Sequence, residues 1–321
     1  MIRIFVHTAG TTREERQVDR GWLAPDSGCT VWVDLAEPTD EEGRVLTDVF
    51  GFHDLAVESA LQREAHPKIE TYSDYLYLVL HGINFQRAEH AFDTHDTDFF
   101  LGPNYLVTVH DGKRRSIAHV TELCERTSHI LAEGPVALLH RIVDTMVDHY
   151  RPEADELEDR LDEIEKAVIQ ADHEGLMGDI LSAKRDISML RRIVVPQRDA
   201  VGRLARREFG VINQEMAYRF RDVYDQFSRI AEDAIVFHDR VTGILDAHLA
   251  SVSNRLADVS RLLAVIATLF GPLTVLTGLF GMNVPLPSLG LGGTGQFWEI
   301  VAFMVLSCGG MYWWFKRSGW L

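Results

Sequence analysis

The sequence predicts an α+β cytosolic domain, a long helical stalk and two C-terminal transmembrane helices. Three observations predict it. Short strand-like runs alternate with helix starts up to about residue 130, apolar residues then recur at heptad spacing, and two long apolar runs, residues 262–280 and 297–315, close the chain. At about 1.5 Å per residue each run spans roughly 28 Å as helix, the thickness of a bilayer core.

In the first part, residues 30–35 and 75–80 are rich in β-branched and aromatic side chains and read as strands. Residues 98–101, the turn Gly102-Pro103-Asn104 and residues 105–109 read as a hairpin. Thr39-Asp40-Glu41-Glu42 starts a helix that reaches Phe50, and residues 53–62 fit another. From Val136 the strand signals stop, and charged helices run to about Arg207 with a break near Asp172-His173-Glu174-Gly175. The eight carboxylates between Glu153 and Glu165 read as a solvated helix face in preference to a metal site. Val223, Phe227, Ile230, Ala234, Phe237, Val241 and Ile244 then alternate steps of four and three, a coiled-coil seam that requires partner helices. The expected division is 1–132 α/β domain, 133–211 acidic helical hairpin, 212–261 stalk, 262–282 first transmembrane helix, 283–296 external loop, 297–315 second transmembrane helix and 316–321 basic tail.

Charge divides the chain in the same way. Of its 48 acids only Glu299 lies beyond Asp258, and of its 32 basic residues only Lys316 and Arg317 lie beyond Arg261. So acidic a body excludes nucleic acid as a partner and suits divalent cations. Cys29, Cys124 and Cys308 are isolated, which argues against a disulfide framework or a thiolate zinc site. The N-terminal apolar stretch is too short for a signal peptide. No P-loop, nucleophile elbow or HExxH occurs, so neither an enzyme nor a cofactor is expected. Arg255 and Arg261 precede the first apolar run, Lys316 and Arg317 follow the second, and the 281–296 loop is uncharged. The positive-inside rule therefore places both termini in the cytoplasm. Trp298, Tyr312, Trp313, Trp314 and Trp320 read as interfacial anchors.

Within the first run, Ser260, Leu263, Ala267, Gly271, Thr274 and Gly278 form one stripe, while Leu262, Ile266, Leu269, Leu273, Leu276 and Phe280 make the rest bulky. Such a stripe serves either close helix packing or a narrow water-accessible path around a symmetry axis. It ends at Gly281-Met282-Asn283, whose carboxamide can offer oxygens to a cation or its water shell. Two helices per chain enclose a path only by self-association, so the pattern suggests an ion pore in a symmetric ring. Pro272 removes the donor for the carbonyl of Thr268, which predicts a bend or an exposed carbonyl.

The motif Gly281-Met282-Asn283 stands after the first of two terminal helices, preceded by Ser253-Asn254-Arg255 and followed by the basic ending Phe315-Lys316-Arg317-Ser318-Gly319-Trp320-Leu321. Upstream, Trp32-Val33-Asp34-Leu35, His66-Pro67-Lys68-Ile69-Glu70 and Arg221-Asp222-Val223-Tyr224-Asp225 occur in order. Over nearly its whole length the chain resembles the CorA family of divalent-cation channels, which includes magnesium/cobalt transporters and the zinc-type ZntB branch. The resemblance implies a funnel-shaped homopentamer in the cell inner membrane. Five Asn283 amides would form the entrance filter, with Gly281 and Met282 shaping the turn, Thr274 and Gly278 in the pore and Gly271 near a constriction. Leu263 and Ala267 extend that stripe. Because Mg2+ gives up water reluctantly, neutral oxygens hold it hydrated and still release it.

The implied activity is passive influx of Mg2+, with Co2+ or Ni2+, gated by cytosolic metal. The cation is then both substrate and regulatory ligand, and the partners are further copies of the chain and the lipid bilayer. Asp222 matches the family's regulatory stalk aspartate, but the usual Glu-Asp partner pair reads Glu58-Ser59 here. The outer loop Val284-Pro285-Leu286-Pro287-Ser288-Leu289-Gly290 lacks the acids of magnesium-type members, leaving Glu299 to supply any external charge. That neutral loop is similar to the zinc-type branch, so a zinc transporter coupled to protons stays open. So does a non-conducting, membrane-anchored coiled-coil sensor. His90, Asp93, His95, Asp96 and Asp98 offer donors that zinc would accept, but between two strands they read as a polar hairpin loop.

Overall fold

The computed structural model describes residues 1–62, 66–86, 91–112, 115–127, 129–170, 175–282 and 294–320, and separates into two compact units, Met1–Leu245 and Asp246–Leu321. The first unit is built on a mixed sheet of β1 (Ile2–Thr8), β2 (Thr11–Glu15), β3 (Thr30–Ala36), β4 (Lys68–Thr71), β5 (Leu76–Gln86), β6 (Ala91–Leu101) and β7 (Tyr105–His110). Their order is β2-β1-β3-β7-β6-β5-β4. Only β3 and β7 run parallel.

The expected hairpin is β6–β7, with Leu101 opposite Leu106. Its turn needs Gly102, because a Cβ there would fall 2.2 Å from the Tyr105 ring. The two helices expected before it are α1 (Asp40–Asp48) and α2 (Asp54–Gln62). Thr39 caps α1: its hydroxyl accepts from the Glu42 N–H while the Glu42 carboxylate accepts from the Thr39 N–H.

Side chains alternate across the strands, so the sheet buries both faces. Val31, Val33, Val79, Phe100 and Val107 pack with Leu46 and Phe52 and with Ala56, Val57 and Ala60 of α2. On the other face Phe5, Trp32, Leu78, Leu80, Phe99 and Leu106 join the core of a helical layer. That layer comprises α3 (Arg115–Arg126), α4 (His129–Ala132), α5 (Pro135–Asp148), α6 (Tyr150–Gln170), α7 (Leu176–Ala205) and the first part of α8 (Gln214–Phe280). In α6, Ala154, Leu157, Leu161 and Ile164 turn inward while the carboxylates line the outer faces, several paired with Arg151 or Arg240. All seven seam positions of α8, from Val223 to Ile244, are buried in this same core. The seam therefore finds its partner helices within its own chain.

β5 extends beyond β4, whose last pairing is Lys68 with Val79. At His81, beyond the last β4 pairing among the described residues, side chains answer the backbone of β5. The His81 N–H donates to Gln197 Oε1 at 2.9 Å, the Tyr150 hydroxyl donates to the His81 carbonyl, and Gln197 Nε2 donates to the Tyr150 oxygen at 2.6 Å. Gln197 and Tyr150 are both fully buried.

The acidic and histidine-rich run before Gly102 is strand, not hairpin loop. His95, Asp96 and Asp98 lie within β6, where pleating sends His95 to the opposite face from the two aspartates. His95 Nδ1 meets Asp111 at 2.9 Å, Asp96 meets His81 Nε2 at 3.3 Å, and Asp98 accepts from the Tyr77 hydroxyl. His90 lies outside the described residues, as does the side chain of Asp93. Among the described residues no group of three or more His, Cys, Asp or Glu side chains could hold a metal.

Candidate functional site

Among the described residues α8 is the one helix long and apolar enough to cross a membrane. It passes through Pro272 without interruption. In the second unit it is joined by α9 (Thr294–Arg317). Val265 of α8 and Phe315 of α9 are the two buried apolar side chains of this unit among the described residues. Leu269 and Leu273 line a cavity of about 690 Å³ with Val301, Met304 and Cys308 of α9. Leu276 and Phe280 line another of about 440 Å³ with Glu299, Ile300 and Phe303.

At 3.6 residues per turn, Leu263, Ala267, Gly271, Thr274 and Gly278 fall on the opposite side of α8 from Val265, Leu269, Leu273, Leu276 and Phe280. All five stripe residues are exposed. A Cβ added at Gly271 or Gly278 would meet nothing within 4 Å. Glycine in a helix interior costs about 1 kcal/mol relative to alanine, and no contact inside this chain requires it at either position. The Thr274 and Thr277 hydroxyls donate back to the carbonyls of Phe270 and Leu273, both at 2.9 Å. Their oxygens keep free lone pairs on the helix surface.

Gly281 and Met282 follow the helix in a turn, with the Gly281 N–H donating to the Thr277 carbonyl at 2.8 Å. Asn283 and the loop 284–290 lie outside the described residues. Glu299 lines the cavity behind α8, and one of its carboxylate oxygens is shielded from solvent. It faces away from the stripe, so it adds no charge along that side.

The regulatory candidates lie apart. Glu58 is exposed on α2 and accepts from Gln62 Nε2 at 2.8 Å. Asp222 is exposed on α8 and accepts from Gln226 Nε2 at 3.2 Å. Their helices pack on opposite faces of the sheet. Within one chain the two carboxylates therefore cannot share an ion.

Around Asp222 the structure assembles groups that the sequence did not associate with it. Burial raises the Asp144 carboxyl above its usual range; His140 pulls it back, and Asp148 and Asp222 push it further up. Burial lowers His140, against the pull of Asp144. Its ring meets Phe220 edge-on at 5.3 Å, and Arg219 ties Glu133 to Glu215 at 2.9 and 2.8 Å. The four-residue spacing of His140, Asp144 and Asp148 was readable as one face of a helix. Its approach to Asp222 was not, because tertiary packing creates it.

The last helix of this acidic α+β domain thus continues into a segment long and apolar enough to cross a membrane, with a stripe of small residues on one side. Residues 27–317 match the model of the CorA-like Mg2+ transporter protein family, and the chain belongs to that family. It is 31% identical over 290 residues to YfjQ of Bacillus subtilis (strain 168), covering 90% of this chain and 89% of that one. It is 29% identical over 287 residues to the cobalt/magnesium transport protein CorA of Thermotoga maritima, covering 88% and 82%. In fold it matches the complete CorA magnesium transporter structure from Methanocaldococcus jannaschii with a TM-score of 0.85 at 20% identity, over 100% of this chain and 99% of that one.

Proposed function

We propose that the chain is a passive divalent-cation channel whose copies assemble as a homopentamer, with the α8 stripe facing the shared axis and α9 crossing the membrane outside it. The observation that carries this reading is the exposed stripe with two glycines that nothing inside the chain requires. Close approach of neighbouring copies, or a water-filled path between them, supplies the missing reason. Asn283 would stand at the outer entrance and offer neutral oxygens to a hydrated cation. Mg2+ is the favoured cargo, with Co2+ and Ni2+ accepted, in line with the named activity of the Thermotoga relative.

Regulation would sit between copies. Since α2 and α8 lie on opposite faces of the sheet, an ion bridging Glu58 and Asp222 must use one carboxylate from each of two chains. Cytosolic metal there would neutralise facing acids and hold the pore closed.

The test is flux into liposomes carrying purified protein. Wild type is expected to admit Mg2+ and Asn283→Ala to lose most of that flux, while equal background flux in both would overturn the channel reading. Competition among Mg2+, Co2+, Ni2+ and Zn2+ decides the cargo. The neutral outer loop favours one second reading, a zinc-type transporter, which would move Zn2+ along a proton gradient and ignore Mg2+.

A further inference from the structure

At its C-terminal end α9 closes with a specific turn. The Trp320 N–H donates to the Phe315 carbonyl at 3.0 Å and the Gly319 N–H to the Lys316 carbonyl at 3.4 Å, with Gly319 at φ +71°. This is the Schellman arrangement, in which glycine takes the left-handed position and the last carbonyls are satisfied by the chain's own N–H groups. The turn folds Trp320 back toward Phe315, with ring centroids 5.9 Å apart. It also places the indole of Trp320 under the guanidinium of Arg261 on α8, 6.0 Å from Cζ to the ring centroid. Arg317 lies over Trp313 at 5.4 Å.

Two arginines are thus held against aromatic faces, which fixes the guanidinium planes without satisfying their N–H donors. Among the described residues none of Arg261, Lys316 and Arg317 is paired with a carboxylate within 4.0 Å. That contrasts with the first unit, where Arg3, Arg151, Arg160, Arg219 and Arg240 all hold acids. Three unpaired cations beside Trp313, Trp314 and Trp320 combine donors for an oxyanion with rings that prefer the headgroup layer.

We propose that Arg261, Lys316 and Arg317, framed by Trp313 and Trp320, form a site for the phosphate of an anionic phospholipid. The inference rests on the reading that α8 and α9 both cross the membrane, which puts this end of the two helices at one bilayer surface. Charge complementarity selects the occupant: cations and aromatic rings gathered at one bilayer surface suit the phosphates of anionic lipid. The lipid would clamp the start of the apolar segment of α8 to the end of α9.

The experiment compares binding of full-length protein to vesicles of phosphatidylglycerol and of phosphatidylcholine, for wild type and Arg261→Gln/Arg317→Gln. Wild type is expected to prefer phosphatidylglycerol. Each lost cation should weaken that preference about fivefold, equivalent to about 1 kcal/mol. Arg261→Lys/Arg317→Lys should keep most of it, which excludes misfolding as the cause. An undiminished preference in the glutamine variant would overturn the site, and so would loss of the wild-type preference on adding millimolar inorganic phosphate, which would assign the cations to a soluble anion. Binding is read without an ion gradient, so absent flux would sink the channel reading alone. Failure of the protein to float with any vesicle would sink the membrane reading.

Discussion

At the scale of single residues, Asp144 makes the most direct prediction. Its folded-state pKa is raised, so the native chain retains a proton that the unfolded chain releases above the ordinary value of 3.8. The group therefore opposes folding increasingly as pH rises from 3.8 through its folded value, above which the penalty is complete. Asp144→Asn should raise the melting midpoint at pH 7, with the gap closing below the ordinary carboxylate range. Thermal melts of the full chain across pH 3.5 to 8 check this. Legibility at this scale follows sequence distance. The Thr39–Glu42 capping box was readable because its partners are three residues apart. The Asp144–Asp222 repulsion was not, because packing brings α5 and α8 together.

At the scale of elements, periodicity was the reliable guide. Every seam position from Val223 to Ile244 is buried, and Phe227→Ala should cost about 3–5 kcal/mol in urea unfolding, since a fully enclosed ring leaves a cavity behind. The stripe on the same helix predicts the reverse pattern. Gly271→Leu touches nothing inside the chain, so the melt of the first unit should not move while ion flux collapses. Unaltered flux would show that the stripe does not line the path. The misread stretch before Gly102 has a physical reason. Asp96, Asp98 and His95 look solvent-seeking in sequence, yet each meets a side chain on a neighbouring strand or loop, which makes a polar strand tolerable in a buried sheet.

At the scale of the whole molecule, regulation should report the assembly. Asp222→Ala is expected to weaken inhibition by internal Mg2+ several-fold, and light scattering should find five copies in both proteins. Unchanged inhibition would move control away from α8. The charge asymmetry was legible in composition, since nearly all charge precedes residue 262, whereas the two compact units divide earlier, after Leu245. The opposition of Glu58 and Asp222 across the sheet was not, because topology alone decides which helix covers which face.

The Gln197–Tyr150 pair at His81 carries one more consequence. A sheet edge left bare by a short neighbour is a template for strand addition, and copies gathered in a ring would meet such edges at high local concentration. By answering the His81 N–H and carbonyl with side chains from α7 and α6, the fold denies that template to its neighbours. A copy packed alongside then finds no open pairing groups at His81.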